Sequence, residues 1–421
     1  STKELQLVTI MAEEIHSSTV LLGAMCVWGL ADYSINKHYS DQYKPVPVQH
    51  TPAFTTQDVS VVVRTLKPHP VFKTCLLKWI ENTPLEIIIC TTQEYFDEVS
   101  QIIADAGLSD KDLARVITIT ADKGARKQLL AGITMAKGNI IATSDNHIEW
   151  APTYLTHMLA CFADPKVGAA APQIKVKLSE ERKALVGPWE VAATKLADRG
   201  PGSATVMHVA AKWCWILAGT SGVYRAEILK DPGFASAYLG DTWRGVMLDV
   251  GEDTFISRWL LKHGWVIAIQ YKDETAVYRT VKQTGALIQQ MLRWERSTIQ
   301  SFLRTVKDVP GWYAHPLVAI RTVERILKAP LLWFHLGLWC FSFYHNTLIA
   351  SLLLAYYAYW KYVDYKKFVG NYPYMKKNGY AAILVDFSPI VIGTWAWFTL
   401  ADNRWDHGEG GKDIDEPAKT K

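Results

Sequence analysis

Two acidic residues at the start of an amphipathic segment are the first candidates for chemistry in this chain. Glu252 and Asp253 follow Gly251, and the run from Thr254 to Gly264 carries apolar residues at helical spacing. The helix dipole favours acids at such a position, so capping is one interpretation of the pair. The other is catalytic, because a positioned carboxylate can take the proton from an attacking hydroxyl group. On that interpretation Asp253 is the general base, with Glu252 beside it.

A second candidate is the run Asp145, Asn146 and His147, which directly follows the apolar stretch from Asn139 to Thr143. Carboxylate oxygens and imidazole nitrogens are both ligands of divalent cations, and two such residues after a strand can face one ion. Asp145 and His147 are therefore candidate ligands for Mn²⁺ or Mg²⁺. A turn that Asp and Asn cap is the alternative.

Positive charge is concentrated in the run from Lys123 to Lys127, between a predicted strand and a predicted helix. Gly124 permits close approach of a ligand there, and the guanidinium of Arg126 can meet phosphate oxygens at a helix N-terminus. Basic residues at a helix start oppose the dipole, so a bound anion would explain them. A solvated charge cluster is the alternative.

The elements that position these residues alternate between strand and helix from Asp58 onward. Continuous apolar strands with helical crossovers predict a parallel sheet covered on both faces. Ligands of such sheets bind beyond the carboxyl ends of the strands. No G-x-G-x-x-G run follows the first strand, which argues against a dinucleotide-binding dehydrogenase. The predicted strands lie at 59–63, 85–90, 116–120 and 139–143, and the predicted helices at 72–82 and 127–137.

A glycine-flanked run, Leu217 to Arg225, is interpreted as a turn, and Ala226 to Lys230 after it as a short helix. Gly219, Thr220 and Ser221 lie in this run. An ordinary loop is the alternative to a functional turn.

Composition excludes some classes of protein. The chain has 421 residues, 45 basic and 41 acidic side chains and a formal net charge of +4. A nucleic-acid-binding protein would show a larger basic excess, so no nucleic acid is expected as a partner. The 17 Trp and 19 Tyr suit both bilayer interfaces and sugar faces, because their rings combine an apolar plane with a polar edge. The six cysteines lack C-x-x-C spacing, which indicates neither a zinc site nor a disulfide framework.

An amphipathic basic helix is predicted between Val281 and Thr305. It contains Gln290, Arg293 and Trp294 in the spacing Q-x-x-R-W. Apolar and cationic residues separate onto two faces, which is typical of a helix that lies along a membrane surface. Trp294 can stack on a sugar ring, and Arg293 can balance the charge of a departing diphosphate. A plain surface-binding helix is the alternative.

Three apolar stretches predict membrane segments. Ser17 to Tyr33 is just long enough for an anchor, with an interfacial helix as the alternative. Ala329 to Trp360 is too long for one upright span, and the polar break at residues 345–347 favours a hairpin. Ala381 to Leu400 is interrupted by Asp386, Pro389 and Gly393, which favours an interfacial or re-entrant helix. The lysines after Trp360 place that end in the cytosol.

These features divide the chain into six parts. They are an N-terminal segment with a membrane anchor (1–38), a linker (39–57), a catalytic domain in the cytosol (58–280), interfacial helices (281–328), transmembrane and interfacial helices (329–400) and a cytosolic tail (401–421).

Taken in order, the segments resemble the processive, inverting family-two glycosyltransferases, which include hyaluronan, cellulose and chitin synthases and their fungal relatives. The resemblance covers roughly Asp58 to Gly411. It implies an α/β glycosyltransferase-A fold, a Rossmann-like mixed sheet, with membrane helices at both ends of the chain. The run from Arg404 to Gly408 loosely resembles the gating segment of hyaluronan synthases.

The resemblance also implies roles for individual residues. Asp145 to His147 looks like the metal motif, Gly251 to Asp253 like the base motif, and Gln290 to Trp294 like the acceptor motif. Gly219, Thr220 and Ser221 would line the acceptor site. The residues implied at the nucleotide sugar are Arg64, Thr65, Thr91, Arg126, Asp145 and Arg293.

Three substitutions depart from the family pattern. His147 stands where the motif has a second acid. Arg64-Thr65 follows the first strand where a Pro and an Asn-Glu or Asn-Asp pair are usual, and Thr91-Thr92 follows the second where acids contact uridine. These positions make the nucleotide preference an open question.

The expected function is transfer of sugar from a UDP-sugar to a growing polysaccharide, with inversion and export through the plasma membrane. The bilayer is then a partner, and homo-oligomers could complete the export path because few spans are visible. Two alternatives remain: a non-processive transferase to a lipid carrier, and a catalytically silent scaffold of the same fold.

Overall fold

The protein is described by a computed structural model that covers residues 15–197 and 202–402. The strands are β1 Val59–Arg64, β2 Glu86–Thr91, β3 Val116–Thr120, β4 Ile140–Asp145, β5 Ile148–Trp150, β6 Val167–Val176, β7 Ser221–Arg225, β8 Thr242–Trp243, β9 Val246–Met247, β10 Val266–Gln270 and β11 Ala276–Arg279.

The α-helices of the catalytic part precede and follow these strands. They are α1 Ser17–Gln42, α2 Phe72–Glu81, α3 Phe96–Ala104, α4 Asp110–Leu113, α5 Ala125–Met135, α6 Tyr154–Leu159, α7 Glu180–Ala184, α8 Pro188–Ala197, α9 Gly202–Ala211, α10 Ala226–Leu229, α11 Pro232–Leu239 and α12 Glu252–Lys262. The C-terminal helices are α13 Ala286–Asp308, α14 Pro316–Ile326, α15 Lys328–His345, α16 Thr347–Asn371, α17 Tyr380–Val385 and α18 Ser388–Phe398.

Within the described ranges, nine strands form one mixed sheet in the order β3-β2-β1-β4-β7-β6-β11-β5, with β10 paired to β6. The first four strands of that order are parallel, whereas β7 is antiparallel to both β4 and β6. The parallel half and the mixed sheet are therefore confirmed. Parallel pairing brings the carboxyl ends of β1, β2 and β4 to one edge, where the site is expected.

Apolar residues on both faces of this sheet hold the helices in place. Phe72 and Trp79 of α2 are buried on one face, and Leu129 and Ile133 of α5 on the other. Gly132 of α5 lies so close to the sheet that a Cβ atom there would meet a side-chain carbon of Val62 at 2.3 Å. The close approach of α5 fixes the loop that precedes it.

One sequence prediction about the fold is wrong. The run Ser221 to Arg225, interpreted as part of a turn, is the strand β7 in the middle of the sheet. Local sequence did not indicate this because Ser221, Gly222 and Arg225 have low strand propensity, and the flanking strands determine the conformation. Gly222 is required there, since an added Cβ would meet Leu217 at 2.5 Å and Tyr224 at 2.6 Å.

Two helical segments are long and apolar enough to cross a membrane: Ser17–Gln42 and Tyr380–Phe398. The pair Pro316–Ile326 and Lys328–His345, bent by 77°, would be a third if it forms one span. Helix α1 is longer than the anchor predicted from sequence. Helix α15 ends at His345 and α16 begins at Thr347, so the polar break lies where the sequence placed it.

The segment Tyr380–Phe398 is interrupted as the sequence indicated. The chain breaks into α17 and α18 near Asp386, and Pro389 lies in the first turn of α18. Taken together, the 19 residues meet the length and apolarity of a span. The interfacial or re-entrant arrangement stays a prediction. Residues 403–421, including the run Arg404 to Gly408, lie outside the described residues.

We predict that Gly132→Ala destabilises the soluble domain by about 1–3 kcal/mol, because the added methyl overpacks the contact between α5 and β1. Thr134→Ala, on the exposed side of the same helix, is the matched control and should leave stability nearly unchanged. Thermal unfolding of the detergent-purified protein measures the difference. Equal stability of the two variants would contradict the close contact.

Candidate active site

Helix α12 begins at the edge of the sheet where the parallel strands end. Gly251, which precedes it, adopts a left-handed conformation with φ of 72°, and a Cβ there would meet the hydroxyl oxygen of Ser297 at 2.6 Å. A glycine is therefore needed to start the helix. Glu252 and Asp253 occupy its first turn, where the helix dipole favours negative charge.

Asp253 is held by two backbone N–H groups. Gly219 donates to Oδ2 at 3.0 Å, and Thr254 donates to Oδ1 at 2.7 Å. A Cβ on Gly219 would lie 3.2 Å from the Cβ of Asp253 and from Oε1 of Glu252. The glycine before β7 therefore lets the backbone reach the acid pair. The carbonyl of the next residue, Thr220, accepts from the N–H of Asp145 at 3.2 Å.

Arg64 connects the two acidic motifs. It is the last residue of β1 and pairs in parallel register with Asp145 at the end of β4. Its Nη2 lies 3.1 Å from Oδ1 of Asp145 and 2.5 Å from Oε1 of Glu252, and its Nε donates to the same oxygen of Asp145 at 3.2 Å. One guanidinium thus bridges a strand-end carboxylate and a helix-start carboxylate that are more than a hundred residues apart.

Burial and neighbouring charges shift the pKa values of the three carboxyl groups in different directions. Burial opposes ionisation of Glu252, but the charge of Arg64 and the hydrogen bond from it lower the pKa of this residue. Burial, followed by the neighbouring charge of Glu252, raises the pKa of Asp253 to about 6. Burial also raises the pKa of Asp145, although Arg64 opposes it. Asp253 is therefore the carboxylate suited to accept a proton near neutral pH.

Asp145 and His147 supply donor atoms suited to a divalent cation. Arg64 contacts only Oδ1 of Asp145. Burial, followed by the charge of Arg279, lowers the pKa of His147 to about 3, so its imidazole is neutral. The side chain of Asn146 donates to Thr65 and Lys67, so its Oδ1 accepts from Nδ1 of His147 at 3.2 Å. Because Nδ1 carries the hydrogen of the neutral ring, Nε2 of His147 has a lone pair that can bind a cation.

This pair of protein ligands suits a cation whose remaining ligands come from a bound substrate. Within the described ranges, His, Cys, Asp and Glu do not form a group of three or more that could hold an ion. Mg²⁺ and Mn²⁺ at phosphate-transfer sites typically use one or two protein ligands and take the rest from phosphates and water. Asp145 and His147 match that pattern.

Two threonines at the strand ends have contrasting environments. Thr65, buried after β1, accepts from Asn146 at 2.6 Å through its hydroxyl. Thr91 at the end of β2 and its neighbour Thr92 are buried, and their hydroxyls have no hydrogen-bond partner among residues 15–197 and 202–402. Buried hydroxyls without a partner are costly.

The Q-x-x-R-W run lies on α13, beside the acid pair. Gln290, Arg293 and Trp294 are all half-buried. The charge of Arg293 contributes to the lowered pKa of Glu252. The guanidinium of Arg279, at the end of β11, lies 5.5 Å from the ring centre of Trp294. The helix therefore adds a cation and an aromatic ring to the edge where the strands end.

Two predicted site residues have mainly protein partners. Arg126 is 3% exposed and donates to the carbonyls of Tyr238 and Val250 and to Asp241. It supports the loop before α12, and its contact with a phosphate stays a prediction. Ser221 is 1% exposed, donates to the carbonyl of Thr143 and contacts the hydroxyl of Tyr154. Its role at the acceptor also stays a prediction.

Sequence reasoning missed the cations around His147. Arg279, Lys282 and His69 all lower the pKa of His147, and the rings of His69 and His147 lie 5.4 Å apart. Arg279 ends the strand β11, which was not predicted. If β11 had been recognised, a search for basic residues at strand ends would have found Arg279. With Arg64 and Arg293, the side chains of Arg279 and Lys282 place positive charge near the acids, which suits a diphosphate.

A mixed sheet with an acid and a histidine after one strand, an acid pair at a helix start and surrounding cations is typical of nucleotide-sugar glycosyltransferases. Residues 56–297 match the family model described as glycosyltransferase like family 2. The match covers more than half of the chain, and the chain belongs to this family. The fold is of the glycosyltransferase-A type, as the sequence predicted.

Similar proteins agree with this assignment. The NDP-glycosyltransferase ltbB of Aspergillus luteorubrus is 29% identical over 396 residues, which cover 92% of this chain and 97% of that protein. A type 2 glycosyltransferase of Pyricularia oryzae is 28% identical over 64% of this chain, and the match spans 56% of its length. The mannosyltransferase PcManGT of Pyrobaculum calidifontis, in complex with GDP-Man and Mn²⁺, has the same fold: TM-score 0.56, 16% identity, 89% of this chain and 98% of that one.

We predict an acidic limb near pH 6 in the profile of kcat/KM, because Asp253 must be ionised to accept a proton and its pKa is raised to about 6. Activity should fall as the pH drops through this value. Glu252→Gln removes one of the charges that raise this pKa, so the limb of that variant should move to lower pH. A wild-type limb near pH 4 would show that Asp253 is not the base.

We predict that Gly219→Ala lowers kcat about tenfold, because the new methyl displaces the acid pair by a few tenths of an ångström. Gly187→Ala is the matched control, since a Cβ there meets Glu190 at an ordinary 3.8 Å. Initial rates of nucleotide release test this, with thermal unfolding as a check on folding. A fully active Gly219→Ala variant would contradict the close approach.

Proposed function

We propose that this protein is an inverting glycosyltransferase that moves a hexose from a UDP-sugar to an acceptor hydroxyl at a membrane surface, and that its acceptor is a growing glycan. The observation that carries this proposal is the arrangement of Asp253. Its carboxylate is fixed by two N–H groups, has a raised pKa and lies beside a cation-lined strand edge.

The reaction is a single displacement. Asp253 takes the proton of the acceptor hydroxyl, the acceptor oxygen bonds to the anomeric carbon, and the bond from that carbon to the diphosphate oxygen breaks. Glu252 is tied to Arg64 and is not free to attack the sugar. One carboxylate acting as a base therefore favours inversion.

The donor would occupy the strand edge. Asp145 and His147 would hold Mn²⁺ or Mg²⁺, which balances the charge of the diphosphate when it is bound. Arg64 and Arg293 contribute further positive charge there. The free hydroxyl of Thr91 and the hydroxyl of the bound Thr65 lie at the ends of β2 and β1, where the nucleotide of the donor would sit. A solved relative by fold contains GDP-Man and Mn²⁺, which supports a cation in this chain.

The acceptor would approach along α13. Trp294 offers an aromatic plane to a terminal sugar, while Gln290 can hydrogen-bond its hydroxyls. Gly219 and Thr220 form the opposite border beside Asp253. The spacing of Gln290, Arg293 and Trp294 supports chain extension. In this proposal the catalytic domain lies in the cytosol, and the product is exported through the plasma membrane. Homo-oligomers would complete the export path.

A second candidate is the transfer of one sugar to a lipid-borne acceptor. The number of candidate spans favours it: residues 15–197 and 202–402 contain two, or three if the bent pair is one span. A channel for a polymer needs a ring of helices, whereas a lipid-borne acceptor needs only access from the bilayer.

We predict that purified wild-type protein releases UDP from at least one UDP-sugar with Mn²⁺ or Mg²⁺, and that Asp253→Asn lowers the rate by about 10²- to 10⁴-fold while folding is retained. Asp97→Asn, in the exposed first turn of α3, is a control that should keep full activity. Activity of Asp253→Asn equal to wild type would exclude the proposed base.

Product size separates the two candidate functions. A product whose mass grows with time supports glycan extension, and a single sugar on an extracted lipid supports the second candidate. Turnover with GDP-sugars alone would overturn the choice of UDP. An absence of turnover with every nucleotide sugar, with membranes and extracted lipids supplied, would contradict both.

A further inference from the structure

A small hairpin outside the main sheet presents apolar side chains to the surroundings. Strands β8 and β9 are joined by Arg244 and Gly245, whose φ angles are 50° and 82°. Two successive positive φ values are typical of the type I′ turn that closes a tight hairpin. Arg244 adopts a conformation that costs free energy for a residue with a Cβ. The hairpin is therefore a defined feature and not a loose loop.

One face of the hairpin packs against the C-terminal helices. Trp243 and Val246 are cross-strand partners, so their side chains lie on the same face. Trp243 packs against a cluster that includes Ile299 of α13 and Ile392 and Ala396 of α18. Val246, beside it, is 48% exposed. On this face, Trp243 contacts a candidate membrane span and Val246 is exposed to the surroundings.

The adjoining surface of α18 is strongly apolar. Val391, Trp395 and Phe398 are exposed, Phe398 at 87%. These residues belong to the segment Tyr380–Phe398, which is long and apolar enough to cross a membrane. An exposed apolar surface of this kind is unfavourable in water and normal in lipid. Trp243 links this helix to the hairpin, where its cross-strand partner Val246 is also exposed.

The charges beside this face suit lipid headgroups. Arg244 is exposed and lies 6.0 Å from the ring centre of Trp243. Arg304 lies over the same ring at 5.2 Å and pairs with Asp241, which anchors the hairpin to α13. A tryptophan flanked by arginines is typical of the boundary between hydrocarbon and phosphate groups. Arg244 has no ion-pair partner among residues 15–197 and 202–402 and is available to a phosphate.

We propose that the hairpin Thr242–Met247 is a membrane-docking element, in which Trp243 is held against α13 and α18 and the exposed Val246 beside it enters the headgroup region of a lipid surface. The docking holds α13 and the acid pair at a fixed height above the bilayer. It rests on membrane insertion of Tyr380–Phe398 and not on the proposed reaction, so its test needs no sugar donor.

The test places a fluorophore on the hairpin. Cys26 and Cys340, which are accessible, are first replaced by Ala, and the other cysteines of the described residues are buried. Val246→Cys is then labelled with an environment-sensitive thiol dye, and the full chain is placed in phosphatidylcholine nanodiscs. Loss of emission with spin-labelled phosphatidylcholine, and protection from aqueous iodide, are the expected results.

Two control sites make the result interpretable. Leu113→Cys has similar exposure, 42%, but lies before the edge strand β3, at the amino ends of the parallel strands, and should be quenched by iodide only. Val391→Cys, on α18, should be quenched by lipid. Lipid quenching at Val391 with iodide quenching at Val246 would overturn the docking proposal. Iodide quenching at both would overturn the membrane span as well.

Discussion

The bridge from Arg64 to Asp145 and Glu252 is the interaction on which the rest of the site depends. It joins the end of β1 to the end of β4 and to the start of α12, so three elements meet at one guanidinium. Loss of one partner would leave the remaining charge unpaired in a half-buried site, which is unfavourable. The geometry of the acids therefore depends on the residue that ends β1.

The same bridge separates the functions of the two neighbouring acids. Glu252 is stabilised as an anion, and its charge then helps to raise the pKa of Asp253. Two carboxyl groups with different pKa values are a common basis for assigning separate roles. Gly219 makes the arrangement possible, because any side chain there would press on both acids. A strand-end cation, a helix start and a glycine thus hold one carboxyl group whose pKa is raised to about 6.

The site is also connected to the C-terminal helices. Gln300 of α13 donates to the carbonyl of Leu400 at 2.6 Å, and Arg296 donates to Thr399 and pairs with Asp402. On the other side, Asp241 pairs with Arg304 of α13 and Arg126 of α5. The helix that carries the Q-x-x-R-W run is therefore held between the sheet domain and a candidate span. One helix therefore connects the acid pair to the C-terminal helices.

The sequence by itself determined the elements whose signals are local. The strands β1 to β4, the helix after Gly251 and the break near Asn346 follow from apolar periodicity and from polar interruptions within a few residues. Only the tertiary structure decided that Ser221–Arg225 is a central strand, that Arg126 pairs with Asp241 and that Arg64 and Arg279 reach the acids. These features depend on contacts between residues far apart in the chain, which periodicity does not record. The residue types of the site could be read from the sequence, but their pairing required the fold.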